Sequence, residues 1–222
     1  MRVLLFGASG MIGAGVLLEC LDDPGVAHVL SVGRSDGGVR HAKLEHVSHD
    51  DFTDFSWLRD RFARCDACFF CLGVTSVGLD EAGYSLVTFD YTLAAARTLA
   101  DVNPQAVFCY VSGEGTDSTE RGSRMWARVK GRTENALLAL PFRQAYMFRP
   151  GFIQPVRGVR SKTGWYQAVY TVTRPVTPLV RRLFSGAVTD TASLGRAMIA
   201  VARRGHPARI LDAGAINRLG AA

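Results

Sequence analysis

Short apolar runs alternate with longer amphipathic segments from the first residues to about position 150. Apolar runs of this kind are typical of strands buried in a parallel sheet, and the segments between them follow a helical period. Strands are predicted at 2–6, 27–33, 43–47, 67–72, 106–111 and 143–149. Helices are predicted at 11–22, 55–64, 80–101 and 121–139. This alternation predicts an α/β fold with a doubly wound parallel sheet of the Rossmann type.

The pattern changes after Pro150, where glycine and proline interrupt short apolar segments up to about position 187. The elements predicted beyond this stretch are a helix at 189–203, a strand at 208–211 and a helix at 213–219. We therefore predict a Rossmann domain over 1–150 and a small substrate or cap lobe over 151–222, packed on it without a linker. Four aromatic residues are expected to line a substrate pocket there: Phe152, Trp165, Tyr166 and Tyr170.

A glycine-rich turn joins the first predicted strand to the first predicted helix. Gly7 follows the apolar run 3–6, and Gly10 and Gly13 come at the start of the helical pattern. Glycine lets the backbone turn sharply and approach a pyrophosphate, and the helix N-terminus offers unpaired N–H groups to the anion. In this context the turn predicts a dinucleotide site. The alternative is a purely structural turn, with glycines present only for tight packing.

The end of the second predicted strand indicates which dinucleotide is bound. In a Rossmann unit an acid at this place binds the ribose 2′-hydroxyl, whereas an arginine accommodates a 2′-phosphate. Arg34 stands there, about 20 residues beyond the glycines, and Asp36 comes only in the turn that follows. The sequence therefore favours NADP(H) over NAD(H), unless Arg34 is merely an exposed loop charge. Arg40 is a possible second phosphate partner.

Composition and charge exclude several other classes of function. Hydrophobic residues make up 48% of the 222 residues and charged residues 21%, which is typical of a globular domain. The sequence shows neither a signal peptide nor an apolar run long enough to span a membrane, so we expect a cytoplasmic protein without membrane contacts. The net charge is +6, but the basic residues are scattered, and we expect no nucleic-acid partner.

Three of the five cysteines, Cys65, Cys68 and Cys71, are spaced like metal ligands. Cys68 and Cys71 fall within a predicted buried strand, however, and one strand cannot wrap three thiolates around an ion. No histidine lies nearby to complete the set. We therefore expect no metal and interpret these cysteines as small buried apolar residues.

A candidate catalytic group follows the fifth predicted strand. Ser112 comes at the end of that strand, and Lys130 lies on the next predicted helix. This arrangement resembles the short-chain dehydrogenase/reductases, whose YxxxK pattern pairs a general-acid tyrosine with a lysine one helical turn later. The tyrosine position is occupied by Trp126, and an indole can donate a hydrogen bond but cannot cycle a proton near neutral pH. Tyr84 and Tyr91 are possible replacement acids, although core packing is the simpler interpretation.

Nearly the whole chain resembles the atypical short-chain dehydrogenase/reductases, and among them the Tat-interacting protein group of NADPH-binding, oxidoreductase-like proteins. The segments that carry the resemblance are Phe6-Gly7-Ala8-Ser9-Gly10, Gly33-Arg34, Asp51-Phe52, Phe70-Cys71-Leu72-Gly73, Asp90-Tyr91, Val129-Lys130-Gly131 with Glu134, and Phe148-Arg149-Pro150-Gly151. The departure from the family pattern is Trp126.

The resemblance implies a set of NADP(H) contacts. The residues implied are Gly7, Ser9, Gly10, Met11 and Ile12 along the cofactor, Arg34 on the 2′-phosphate, Asp51 and Phe52 beside adenine, Cys71, Leu72 and Gly73 beneath the adenosine, Lys130 on the nicotinamide ribose, and Pro150 and Gly151 beside the nicotinamide.

Two functions fit these observations. The first is an NADPH-dependent oxidoreductase or epimerase-like enzyme acting on a small carbonyl or sugar-like molecule, with Ser112, Lys130 and Trp126 at the reacting centre. The second is a non-catalytic NADPH-binding sensor, because Trp126 replaces the tyrosine. A flavin-reductase relative is a third possibility. The partner expected is a small-molecule substrate, and the chain is expected to be a monomer or a homodimer.

Overall fold

The computed structural model describes residues 1–158 and 188–221, and it shows a seven-stranded parallel sheet with helices on both faces. The strands in chain order are β1 (Arg2–Phe6), β2 (His28–Gly33), β3 (Leu44–Ser48), β4 (Ala67–Phe70), β5 (Val107–Val111), β6 (Gln144–Arg149), β7 (Phe152–Gln154), β8 (Val188–Asp190) and β9 (Ile210–Asp212). The order across the sheet is β3-β2-β1-β4-β5-β6-β9, with every pair parallel. The predicted doubly wound α/β fold is confirmed.

Helices fill most of the connections in the described part of the chain. They are α1 (Met11–Asp22), α2 (Arg59–Phe62), α3 (Glu81–Ser85), α4 (Tyr91–Val102), α5 (Met125–Ala139), α6 (Thr191–Arg204) and α7 (Ala213–Ala221). A 3-10 turn, Ser56–Leu58, leads into α2, and a π-helical segment, Leu86–Asp90, joins α3 to α4. The structure is therefore helical over the range predicted at 80–101, but the hydrogen bonding changes from α-helical to π-helical in the middle.

Alternate strand residues supply the two halves of the core, as the period of a β-strand requires. Val3 and Leu5 face α1, α6 and α7 in one apolar cluster. Leu4 and Phe6 face α2, α4 and α5 in the other. Because helices cover both faces of the sheet, the central strand sequences are almost uninterrupted runs of apolar residues.

The described C-terminal residues pack directly on the Rossmann layers. β9 extends the sheet beside β6, and α6 lies against α1. The two helices approach closely, since a Cβ at Gly15 would lie 2.4 Å from the Cβ of Thr191. The division into 1–150 and 151–222 stays a prediction, and Trp165, Tyr166 and Tyr170 lie outside the described residues. No helix within 1–158 or 188–221 is both long and apolar enough to cross a membrane.

Candidate active site

The neighbouring strands β1, β4 and β5 end at the same edge of the sheet, and the turn after β1 lies at this edge. Gly7 has φ +81°, and a Cβ there would lie 2.7 Å from the backbone carbonyl carbon and oxygen of Cys71. A Cβ at Gly13 would lie 2.1 Å from the oxygen of Gly7. Glycine is therefore required at both positions, because the turn is pressed between the end of β4 and the start of α1. Ser112, directly after β5, lies at the same edge of the sheet.

Replacing Gly7 with alanine is expected to cost about 2–4 kcal/mol of stability, from the left-handed backbone and the clash with Cys71. Gly73 is the matched control, because it lies in the same region and a Cβ at that position would have no atom within 4 Å. Its alanine variant should stay within about 0.5 kcal/mol of wild type. Urea unfolding of the three proteins measures both effects, and equal stability of the two variants would contradict the argument.

The N-terminus of α1 offers main-chain donors. Gly10 is its N-cap residue, and no side chain caps the first turn. The amide of Ala14 is the one that bonds to the oxygen of Gly10, at 2.8 Å. Uncapped N–H groups at the positive end of a helix are suited to an anion. Met11 and Ile12, in that first turn, face a large cavity together with Gly10.

This larger cavity has a volume of about 700 Å³. Its walls come from the α1 N-terminus, the segment after β4, α3, the end of β5, α5 and the segment after β6. The lining residues are Gly10, Met11, Ile12, Cys71, Leu72, Gly73, Val74, Thr75, Ser76, Tyr84, Val111, Ser112, Trp126, Lys130, Gly151, Phe152 and Ile153. A cleft outside the carboxyl ends of parallel strands is where ligands bind in doubly wound folds. The sequence patterns did not predict the wall formed by 74–76.

A second cavity of about 590 Å³ adjoins the first. Its lining residues are Ser112, Gly113, Glu114, Gly115, Arg124, Trp126, Lys130, Pro150 and Gly151. Both cavities share Ser112, Trp126, Lys130 and Gly151. The Trp126 ring packs on Gly115, where an added Cβ would lie 3.4 Å from the ring. The three predicted catalytic residues therefore meet where the two cavities join.

Lys130 directs its ammonium toward the end of β5. Its Nζ donates a hydrogen bond to the carbonyl oxygen of Ser112. Burial lowers the pKa of Lys130 to about 8, although the nearby Glu134 carboxylate acts in the opposite direction. Lys130 is thus a cation held at the junction of the cavities, with a pKa closer to neutrality than that of an ordinary lysine.

The Ser112 hydroxyl points into a buried ionic network instead of being free. Its Oγ lies 2.5 Å from Glu134 Oε1 and 3.1 Å from the oxygen of Phe148, both as possible acceptors. The fully buried Glu134 also accepts from the guanidinium of Arg149, with Nε at 3.0 Å from Oε1. The sequence motifs contain Glu134 and Arg149, but no role was predicted for either. A signal was available, because Glu134 lies four residues after Lys130 and shares its helix face.

Of the residues predicted on the adenosine side, Cys71, Leu72 and Gly73 line the larger cavity, whereas Arg34, Asp51 and Phe52 lie outside both cavity linings. Arg34 is exposed at the end of β2, and the turn after it passes close to Ser9. Arg40 forms an exposed ion pair with Asp36 at 2.7 Å. Asp36 lies three residues beyond the end of β2, so it does not stand at the strand end, and its carboxylate is the partner of Arg40.

Asp51 and Phe52 have structural contacts of their own. The Asp51 carboxylate accepts hydrogen bonds from the Thr53 hydroxyl and amide, which lower the pKa of Asp51. Phe52 is 5% exposed, and its ring centroid lies 5.6 Å from that of Tyr91. The predicted place of these residues beside adenine stays a prediction.

The two tyrosines considered as replacement acids have different surroundings. Tyr84 lines the larger cavity but is only 2% exposed. Burial raises its pKa, and a hydrogen bond with the Thr88 side chain lowers it in part. Tyr91 packs on Phe52, and within the described part of the chain it lines neither of the two cavities.

Comparison with known proteins gives relatives over the greater part of the chain. No protein-family model matches it. Protein HTATIP2 of Rattus norvegicus is 29% identical over 153 residues, covering 68% of this chain and 62% of that protein. Protein fmp52, mitochondrial, of Emericella nidulans is 27% identical over 159 residues, covering 68% of this chain and 66% of that protein. The matched region thus spans a little under two thirds of these relatives.

Solved structures share the fold at low sequence identity. The Bordetella bronchiseptica enzyme WbmF, in complex with NAD+, has a TM-score of 0.68 and 15% identity, covering 99% of this chain and 76% of that one. UDP-glucuronic acid 4-epimerase of Bacillus cereus, in complex with NAD, has a TM-score of 0.68 and 12% identity, covering 95% and 76%. These matches show that this chain shares its fold with the two structures.

Proposed function

We propose that the chain is an NADP(H)-dependent oxidoreductase or epimerase-like enzyme, which its resemblance to the atypical short-chain dehydrogenase/reductases supports. The substrate class we propose is a small carbonyl or sugar-like molecule. One observation carries the proposal: an uncapped helix N-terminus and the Lys130 ammonium line the same cavity of about 700 Å³.

The described residues fit a dinucleotide. The positive φ of Gly7 lets the chain turn tightly from β1 into α1, and this turn places the N-terminus of α1 on the cavity, where a pyrophosphate would bind. The N–H groups of Met11 and Ile12 would meet its charge, and Lys130 would hold the ribose next to the nicotinamide. A bound nicotinamide would supply or accept a hydride. Gly151 shares this part of the wall.

The adjoining cavity supports an enzyme over the alternative, a non-catalytic sensor. A sensor needs a nucleotide site, but it needs no second cavity of about 590 Å³ opening on Lys130. Trp126 is the observation that favours the sensor, since it replaces the family's acid. We propose that the small-molecule substrate occupies the second cavity. Subunit number, as monomer or homodimer, and cytoplasmic location stay predictions, and the fmp52 relatives are named mitochondrial.

The choice of NADP(H) rests on Arg34. It follows β2 directly, it is exposed, and no acid occupies the strand end. The two solved structures that share the fold contain NAD. The proposed cofactor, NADP(H), therefore differs from the cofactor bound in those structures.

Replacing Arg34 with alanine is expected to weaken NADPH binding about 10–100-fold, because a charge-assisted bond to the 2′-phosphate is lost. NADH affinity should not change. The matched control is Arg40→Ala, which removes an arginine already paired with Asp36 and should leave both affinities intact. Calorimetric titration of cofactor-free protein measures all of these. Tighter binding of NADH than NADPH by the wild type would contradict the cofactor choice, and binding of neither would contradict the proposed function.

A further inference from the structure

We infer that Lys130 itself supplies the proton of the reaction, in the place of the tyrosine that Trp126 replaces. The inference rests on the proposed oxidoreductase function and adds the identity of the acid. Lys130 would then donate a proton as well as bind the nicotinamide ribose. Three features carry the inference: the bonding of the other protic groups at the cavity junction, the position of Nζ, and the charges around it.

The other protic side chains near the junction are poorly placed to give up a proton. The Ser112 hydroxyl is directed at Glu134, with 2.5 Å between Oγ and Oε1. The Trp126 N–H can donate a hydrogen bond but does not ionise near neutral pH. Tyr84 is 2% exposed, and burial raises its pKa. Burial also raises the pKa of the Cys71 thiol.

The ammonium of Lys130 is placed differently. An ammonium group has three N–H bonds, and within the described residues one of them goes to the oxygen of Ser112. Two N–H bonds are left for a ligand. Lys130 lines both cavities, so a group bound in either one can reach the same side chain. Its Nζ also lies near Gly113, 3.9 Å from where a Cβ would stand, and glycine leaves that approach open.

The charges around Lys130 allow it to titrate near neutrality. Burial lowers its pKa to about 8. Glu134, one turn further along α5, acts in the opposite direction, but the Arg149 guanidinium neutralises that carboxylate. The second cavity contributes Arg124 and Glu114, both exposed, whose charges oppose each other. On the side of the larger cavity the titratable residues are Tyr84 and Cys71, both with raised pKa values and hence uncharged.

Proton transfer from Nζ accompanies the addition of a hydride to the carbonyl carbon of the substrate. The reductant is NADPH, whose reduced nicotinamide would lose a C–H bond with its electron pair and become the oxidised ring of NADP+. As the hydride adds, the π electron pair of the C=O bond moves to its oxygen. Nζ transfers one proton to that oxygen, so the product is an alcohol and Lys130 becomes a neutral amine. Water then returns a proton to the amine. Since the acid must be protonated to act, the rate of reduction should fall as the pH rises through the pKa of Lys130.

The first test needs neither substrate nor cofactor. The sequence has three lysines, so acetylation by acetic anhydride can be followed for each of them by mass spectrometry as a function of pH. Lys130 should show an apparent pKa near 8, and Lys43, whose Nζ donates to the carbonyl oxygens of Leu21 and Asp23, is followed in the same samples for comparison. If the acetylation of Lys130 shows no transition near pH 8, its side chain stays charged in the working range and the inference is overturned.

The second test separates an acid from a ribose anchor. Lys130→Arg keeps a cation and its donors, but a guanidinium with a pKa above about 12 cannot act as an acid. We expect this variant to bind NADPH within about tenfold of wild type. Its reduction of 2,3-butanedione, or of the best ketone in a panel, should fall at least about a hundredfold. The control is Lys43→Arg, the same exchange at a lysine that lines neither cavity and whose Nζ donates to the carbonyl oxygens of Leu21 and Asp23, and it should keep its turnover.

The outcomes distinguish the inference from the function on which it rests. If the wild type does not bind NADPH, or binds it but reduces no ketone, the proposed function is overturned. The acetylation experiment still measures the protonation of Lys130, because it needs neither substrate nor cofactor. Turnover that survives in Lys130→Arg, or that falls equally in Lys43→Arg, overturns the inference and leaves the function standing.

Discussion

Replacing Trp126 with tyrosine should raise carbonyl reduction about a hundredfold. Residue 126 lies one helical turn before Lys130, and both line the junction of the two cavities. A phenol at this place would face the Lys130 ammonium, which favours the phenolate and so lowers the pKa of the new hydroxyl. The variant would then have the family's tyrosine acid in addition to the proton that we infer Lys130 supplies. Initial rates of NADPH oxidation with a panel of ketones measure the gain.

The control for this experiment is Trp126→Phe, which removes the indole without adding a hydroxyl. Both variants lose the contact between the indole ring and Gly115, so a general effect of opening the cavity appears in both. A gain in the tyrosine variant alone identifies the hydroxyl as its cause. If the folded, NADPH-bound tyrosine variant shows no gain, the junction does not hold residue 126 in the geometry of the family's acid, which counts against the reductase assignment.

Replacing Glu134 with alanine should cost about 3 kcal/mol of stability, equivalent to roughly 6–12 °C in Tm. The Glu134 side chain has no exposed surface, and it accepts bonds from the Arg149 guanidinium and the Ser112 hydroxyl. Removing it leaves a partly buried positive charge without a partner. Thermal and urea unfolding of the variant measure the loss.

A matched control for this prediction is Asp101→Ala. Asp101 is the acidic partner of Arg59 in an exposed pair at 3.4 Å, so its removal should cost less than about 1 kcal/mol. The double variant Glu134→Leu with Arg149→Leu should recover part of the loss, because no unpaired charge is left. Equal stability of Glu134→Ala and wild type would show that the ionic network does not support the site.

The strand ends of the site could be predicted from local pattern. Gly7, Cys71 and Ser112 each follow an apolar run, and right-handed parallel connections bring the ends of such runs to one edge of the sheet. The seven strands of the main sheet begin and end within about two residues of the predicted bounds, because glycine, proline and polar turns interrupt the apolar runs sharply. The short strands β7 and β8 were not predicted. Local sequence therefore contained the framework of the cleft.

The direction of individual side chains could not be predicted in this way. Ser112 comes at the expected strand end, but its hydroxyl is oriented by Glu134 and by the oxygen of Phe148, which are 22 and 36 positions away. The burial of Phe52 likewise depends on Tyr91, which belongs to another helix. Pairing between β7 and β8 joins segments on either side of a long intervening stretch. Such contacts depend on the assembled fold and leave no period in the local sequence.

The π-helical segment Leu86–Asp90 affects how the sequences of related chains are aligned. A π turn holds one more residue than an α turn, and here the oxygen of Thr88 accepts bonds from the hydroxyls of Thr92 and Thr133. Loss of one residue from this segment would restore regular winding and rotate α3 by about 100° relative to α4. Tyr84 would leave the cleft and a neighbour would replace it. A single misplaced gap in an alignment therefore equates residues that face opposite surroundings.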